Sequence, residues 1–444
     1  MDDSRAVSVF RELLRIPTVS RTDASETDWS QFERFRAALA EAFPLVFATA
    51  ERETVAEHTL VLRLAGAEPS EGAVVLMAHQ DVVAPGELAA WRYGAFEAEL
   101  TGEGAEATIW SRGAIDDKGS LVGLLVAAER TLAQGVRPRR DVWFVFGHDE
   151  ETHGTGARAA AAHLAERGVA PQFVLDEGGA IVHGFLPGVT APLAAVGLAE
   201  KGIASISLTV DEPGGHASTP PRISAIGRLA RAIARMDARP FPSKLTATAK
   251  GMFRAAGTGG RGFLPWLYRN VSLTGPVLLR ALRARPEGDA MTRTTRVATV
   301  ISGGHAHNAI PERAVANVNV RVLPGDTVAG AVEYIRHAID DPQVQVDLAE
   351  GSEPSPVSPT SGFGWETLVA TLAETHPEAI PTPYTQNGAT DSRFFTGISS
   401  AVYRFTPFDL SDGERAALHA VDERIRVDSW LAGVRWYEAL LRRI

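Results

Sequence analysis

The chain has 444 residues, a formal net charge of −10, 45% hydrophobic and 22% charged residues, and no cysteine. That length exceeds one ordinary core and predicts two domains, while the acidic balance argues against a general nucleic-acid binder, which needs a basic face. Without cysteine there is no disulfide, no thiolate nucleophile and no sulfur-ligated metal, so any metal must be held by His, Asp and Glu.

No apolar run approaches a membrane span, residues 121–128 being among the longest. The opening Met-Asp-Asp-Ser-Arg is acidic and lacks the apolar centre of a secretory signal, so a cytoplasmic location is expected. Residues 4–15 place Val7, Phe10, Leu13 and Leu14 at helical spacing with Ser4 as a candidate N-cap. A second helix is predicted over 29–43, stopped by Pro44. Residues 60–64 and 73–77 read as strands, the second delivering His79-Gln-Asp81 at its end. His79 and Asp81 point the same way on an extended chain, and a ligating histidine commonly gives its second ring nitrogen to a carboxylate or carbonyl. Alone, such a pair is more commonly a satisfied structural histidine.

The stretch Arg112-Gly-Ala-Ile-Asp-Asp-Lys-Gly119 precedes an apolar helix over 121–132. An N-cap with first-turn acids explains one Asp well and two Asp with a lysine less well. Val142-Trp-Phe-Val-Phe146 reads as a strand buried on both faces and ends in Asp149-Glu150-Glu151. A helix over 157–167 follows, then a short strand over 173–175 ending in Asp176-Glu-Gly-Gly179. Strand–helix alternation implies right-handed crossovers and a mostly parallel sheet whose C-terminal strand ends converge. Acids gathered there are costly to bury without a cation, and His with hard oxygen ligands suits zinc or manganese.

Beyond residue 198 the pattern changes. Residues 203–210, 295–302 and 315–323 alternate polar and apolar, as antiparallel strands with one solvated face do, and 223–236 reads as a helix between them. The expectation is an α/β catalytic domain over 1–197 and 351–444, with an inserted α+β lid or dimerisation domain over 198–350. Residues 241–296 hold ten Lys or Arg against Glu287 and Asp289. They read as helices with a solvated basic face packed on the lid or a dimer partner, or as a basic, aromatic rim that draws in a carboxylate-bearing, partly apolar substrate. Gly257-Thr-Gly-Gly-Arg-Gly262 matches a dinucleotide pattern in letters only: no strand precedes it and Pro265 interrupts the helix it would open. His153, His305 and His307 read as polar loop residues.

The ordered set His79-x-Asp81, Arg112 to Gly119, Asp149-Glu-Glu151, Asp176 to Gly179, Gly214-Gly-His-Ala-Ser-Thr-Pro220, Gly303-Gly-His-Ala-His-Asn-Ala-Ile-Pro311, Arg321-Val-Leu-Pro-Gly325, Asn387 to Arg393 and Leu418-His-Ala-Val-Asp-Glu-Arg424 resembles the M20 metallopeptidases over nearly the whole chain. Within them it resembles the carboxypeptidase S and N-fatty-acyl-amino-acid hydrolase branch. The resemblance implies two divalent ions, zinc foremost with manganese or cobalt as alternatives. His79, Asp116 and Asp176 would hold one ion, and Asp116 would bridge to a second held by Glu151 and His419. Glu150 would be the general base, Asp81 would support His79, and His216 would act on the substrate carbonyl from the lid, often across a homodimer. Asn308 and Arg321 match positions that help bind the scissile group or the substrate's carboxylate. A cis bond between Asp116 and Asp117 is also implied. Substrates would be small peptides or N-acyl amino acids with a free C-terminal carboxylate. The intact ligand set and Glu150 argue against a catalytically silent scaffold on this fold.

Overall fold

The continuous apolar runs become the centre of a nine-stranded sheet in a computed structural model that describes all 444 residues. Across the sheet the strands are Glu51–Val55, Thr59–Leu64, Asp141–Gly147, Ala73–His79, Pro171–Asp176, Val402–Arg404, Leu193–Glu200 and Ile380–Gln386, with Ile181–Val182 beside Leu193–Glu200. The four from Asp141–Gly147 to Val402–Arg404 are mutually parallel. His79 pairs with Gly147, and Arg404 with Asp176, so their C-terminal ends share one edge. Flanking strands add antiparallel neighbours on both sides. Ile380–Gln386 carries Pro381 and Pro383, which hid it from sequence reading; it sits at the sheet edge, where a missing N–H is tolerated.

Helix boundaries follow the capping chemistry. The first helix is Asp3–Leu14, and its cap is Asp2 rather than Ser4. The second ends at Ala42, but Pro44 starts a new helix, Pro44–Thr49, because proline's absent N–H costs nothing in a first turn. Helix Lys118–Ala133 is buried along almost its whole length and is covered by Val427–Arg443, whose Trp430 indole donates to the Gly119 carbonyl at 3.0 Å.

The lid is a four-stranded antiparallel sheet in the order Thr295–Gly303, Arg313–Val322, Gly202–Asp211, Gln345–Ser352. Helices Ala225–Ala238 and Val328–Ile339 cover one face and enclose a separate core of 21 buried residues. The basic segment differs from its expected place. It forms helices Ala247–Ala256, Phe263–Arg269, Val271–Leu282 and Pro286–Ala290, and its Met252, Phe253, Ala256, Tyr268, Val271 and Leu278 join the 63-residue core of the catalytic domain, not that of the lid. Pro265 falls in the first turn of Phe263–Arg269 and so does not break it. A helix, not a strand, precedes Gly257, so the segment is no dinucleotide loop.

Candidate metal centre

The site is assembled where the parallel strands end. His79 closes its strand, fully buried. Its Nδ1 lies 2.9 Å from the Asp81 carbonyl oxygen and 3.3 Å from Asp81 Oδ1, while Nε2 lies 2.9 Å from Asp116 Oδ1. A proton on Nδ1, donated to Asp81, leaves the Nε2 lone pair facing a carboxylate. Asp116 Oδ2 lies 2.9 Å from His419 Nε2, which is also 3.1 Å from Glu151 Oε2. Asp116 therefore stands between the two histidines, one oxygen toward each. The Asp116–Asp117 peptide bond is cis.

Asp81 positions rather than faces the cavity. It is wholly buried, accepts the Ser20 hydroxyl at 2.7 Å, and accepts the backbone amides of Glu150 and Glu151, each at 3.2 Å. It thus ties the His79 ring to the turn carrying both glutamates. Glu150 lines a cavity of about 210 Å³ with Asp116, Glu177 and His419.

Asp176 does not take the expected place. Its oxygens accept the amides of Glu177 at 3.0 Å and Ser392 at 2.8 Å, and they are spent on holding backbone. The next residue turns toward the site instead: Glu177 Oε1 lies 3.6 Å from His79 Nε2. Two clusters with metal-ligand geometry result, His79–Asp116–Glu151 and His79–Asp117–Glu177. The turn needs Gly178, whose φ of 135° and approach to Gln386 leave no room for a side chain.

Electrostatics ask for cations here. Burial drives Glu150 and Glu177 well above the ordinary carboxylate range. Burial also opposes ionisation of Asp116, but the adjoining His419 and His79 outweigh it and hold this carboxyl low. Hydrogen bonding to Asp116 and Glu151 lifts His419 to about 10. Buried Glu151 Oε1 and Asp117 Oδ1 have no hydrogen-bond partner. Buried carboxylates at this density need compensation, and a set of imidazole nitrogens and carboxylate oxygens fits a divalent ion.

Several contributors carry no role in the sequence reading. Glu423, fully buried, accepts the amides of Gly113 (2.9 Å), Ile115 (2.8 Å) and Asp116 (3.2 Å) and pairs with Arg112 at 2.7 Å. It fixes the loop that presents Asp116, and its signal was its place four residues after His419. Lys118 donates into the carbonyls of Leu13 and Ile16, serving the N-terminal helix. His216, Asn308 and Arg321 do not line the metal cavity. His216 is exposed and pairs with Ala309 in a two-residue ribbon, and the Asn308 carbonyl accepts the Ala217 amide, so those two stand together on the lid. His153 bonds the Thr22 carbonyl, and His305 and His307 are exposed.

The fold and the site together define a metal-dependent hydrolase of amide bonds. The chain belongs to peptidase family M20/M25/M40, whose sequence model matches residues 75–443. It is 33% identical over 437 residues to an N-fatty-acyl-amino acid synthase/hydrolase of Homo sapiens, covering 97% of this chain and 86% of that one. It is 32% identical over 431 residues to a carboxypeptidase S-like protein of Dictyostelium discoideum, covering 96% and 82%. An M20 family metallo-carboxypeptidase from Sulfolobus solfataricus superposes with a TM-score of 0.69 at 16% identity, covering 100% of this chain and 99% of that one.

Proposed function

We propose that the chain is an N-acyl-amino-acid deacylase that works with two divalent ions, zinc foremost, and releases an amino acid with a free carboxylate. The observation that carries a two-ion hydrolase is the partly buried Asp116 standing between His79 and His419, with the glutamate pair 150–151 beside it, and the similarity to an N-fatty-acyl-amino acid synthase/hydrolase supports the N-acyl substrate. His79, Asp116, Glu151, Glu177 and His419 would hold the ions, which supply positive charge to polarise the amide carbonyl. Glu150 accepts a proton from the attacking water and returns it to the leaving nitrogen. Asp81 keeps the His79 ring and the 150–151 turn in register. Hydrogen bonds from His216 and Asn308 would meet the developing oxyanion, and Arg321 would pair with the substrate's carboxylate.

Because His216 and Asn308 stand on the lid, away from the cavity, we infer that a second copy of the chain supplies them. The lid's edge strand Thr295–Gly303 supports this: Val297, Val300 and Ile301 are 56%, 61% and 59% exposed on an unpaired sheet edge, a template for pairing with another copy. No helix is long and apolar enough to cross a membrane. A cytoplasmic location belongs to the same reading and is tested by fractionation. The function is tested by assaying zinc-loaded protein on dipeptides and N-acyl amino acids, each with its carboxylate free or amidated. Preferred cleavage of free-carboxylate N-acyl amino acids is expected; inertness toward all of them would refute the reading.

A further inference from the structure

Two more cavities lie in line with the metal cavity. The first, about 320 Å³, shares Gly178, Gly179 and Ala180 with it. The second, about 340 Å³, shares Phe185, Met252, Glu287 and Met291 with the first and nothing with the metal cavity. The order from the ions outward is therefore metal cavity, first apolar chamber, second apolar chamber. Each chamber is of ligand-site size. The threshold is made of residues with little or no side chain, and a Cβ on Gly179 would fall 1.8 Å from the Ala195 carbonyl oxygen. Val182, Phe185, Leu193, Met252 and Met291 supply an apolar wall in the first chamber, and Leu186, Phe253, Tyr268 and Leu278 line the far one. In the first chamber Arg415, Thr385 and Asn387 mark one side, and in the far chamber charge is confined to the exposed Arg285 and Glu287.

Most of the far chamber's wall, and Met252 and Met291 in the first, come from the helical segment 247–291, expected from the sequence to belong to the lid. It is packed on the catalytic core instead, with Ala247–Ala256 against strand Ile380–Gln386. We propose that this segment is the acyl-chain site: a long, unbranched apolar acyl group enters past Gly178–Ala180, runs along Met252, and ends between Val271–Leu282 and Phe185. The assignment rests on the deacylase reading above and deepens it by locating the substrate's acyl group on particular residues of this chain and by setting its length limit through the two chambers. Chain length is selected by burial, since each methylene drawn from water into an apolar wall favours binding, and the segment's basic residues stay at the surface.

The test is a chain-length profile of kcat/KM with the acetyl, hexanoyl, dodecanoyl and hexadecanoyl derivatives of one amino acid. A rise of about fourfold per methylene is expected until the chambers are filled. Met252→Trp, at the junction of the chambers, lowers the ratio of dodecanoyl to acetyl hydrolysis. Ala281→Trp, on an exposed position of the far chamber, lowers the hexadecanoyl to hexanoyl ratio and spares folding if the buried Met252 variant does not. Acetyl hydrolysis with a flat length profile, or ratios unmoved by Ala281→Trp, would overturn the acyl channel and leave the deacylase reading standing. Inertness toward every derivative, with dipeptides cleaved, would overturn the deacylase reading itself.

Discussion

Replacing Glu423 with glutamine removes a charge that never touches substrate, yet the site should fail. The carboxylate is fully buried, takes three backbone amides of the 113–116 loop and pairs with the buried Arg112. Glutamine offers one acceptor oxygen and presents an N–H₂ where donors already point. Arg112 keeps its bond to the Ala420 carbonyl but loses its counter-charge. Breaking one side of a buried ion pair costs roughly 3–5 kcal/mol, a large part of the ~5–15 kcal/mol that stabilises a domain. Urea unfolding of the metal-free protein reads the stability term. Elemental analysis after dialysis reads the second consequence, loss of bound metal, because Asp116 is presented by this loop. Unchanged stability together with full metal content would refute the claim that Glu423 holds the loop.

Two adjacent acids should separate by phenotype. Glu177→Gln should lower metal content with little change in stability, whereas Asp176→Asn should retain metal and lose about 1–3 kcal/mol, because its oxygens accept the Glu177 and Ser392 amides. The reverse pattern, read by elemental analysis and urea unfolding, would return the ligand role to Asp176. Val300→Lys on the exposed lid edge should convert a dimer to a monomer in light scattering and depress turnover by removing the partner's His216 and Asn308. A parent protein that is already monomeric and active would contradict that arrangement.

The parts legible in sequence were those where one force dominates. Strands Ala73–His79 and Asp141–Gly147 are apolar on both faces, and no other placement buries such runs, so their ends and the acids on them could be located. His79, Asp116, Glu150, Glu151 and His419 do converge. What failed depended on a choice between near-equal alternatives. At Asp176-Glu177 two neighbouring carboxylates end a strand, and only the backbone turn at Gly178 decides which enters the site. At 241–296 the surface charge was visible, but the destination of Met252 and Phe253 was set by packing of Ala247–Ala256 on Ile380–Gln386, a strand whose prolines concealed it. Glu423 was hidden for another reason: its place four residues after His419 marks it as near the site, but a carboxylate that organises backbone amides is not distinguished in sequence from one that binds metal.

The most direct test of the account is Glu150→Gln assayed for metal and for turnover in the same preparation. Two divalent ions per chain are expected, as in the parent, with hydrolysis of N-acyl amino acids reduced by about 10²–10⁴-fold. Near-parent turnover by that variant, or a fully active parent free of metal, would contradict it.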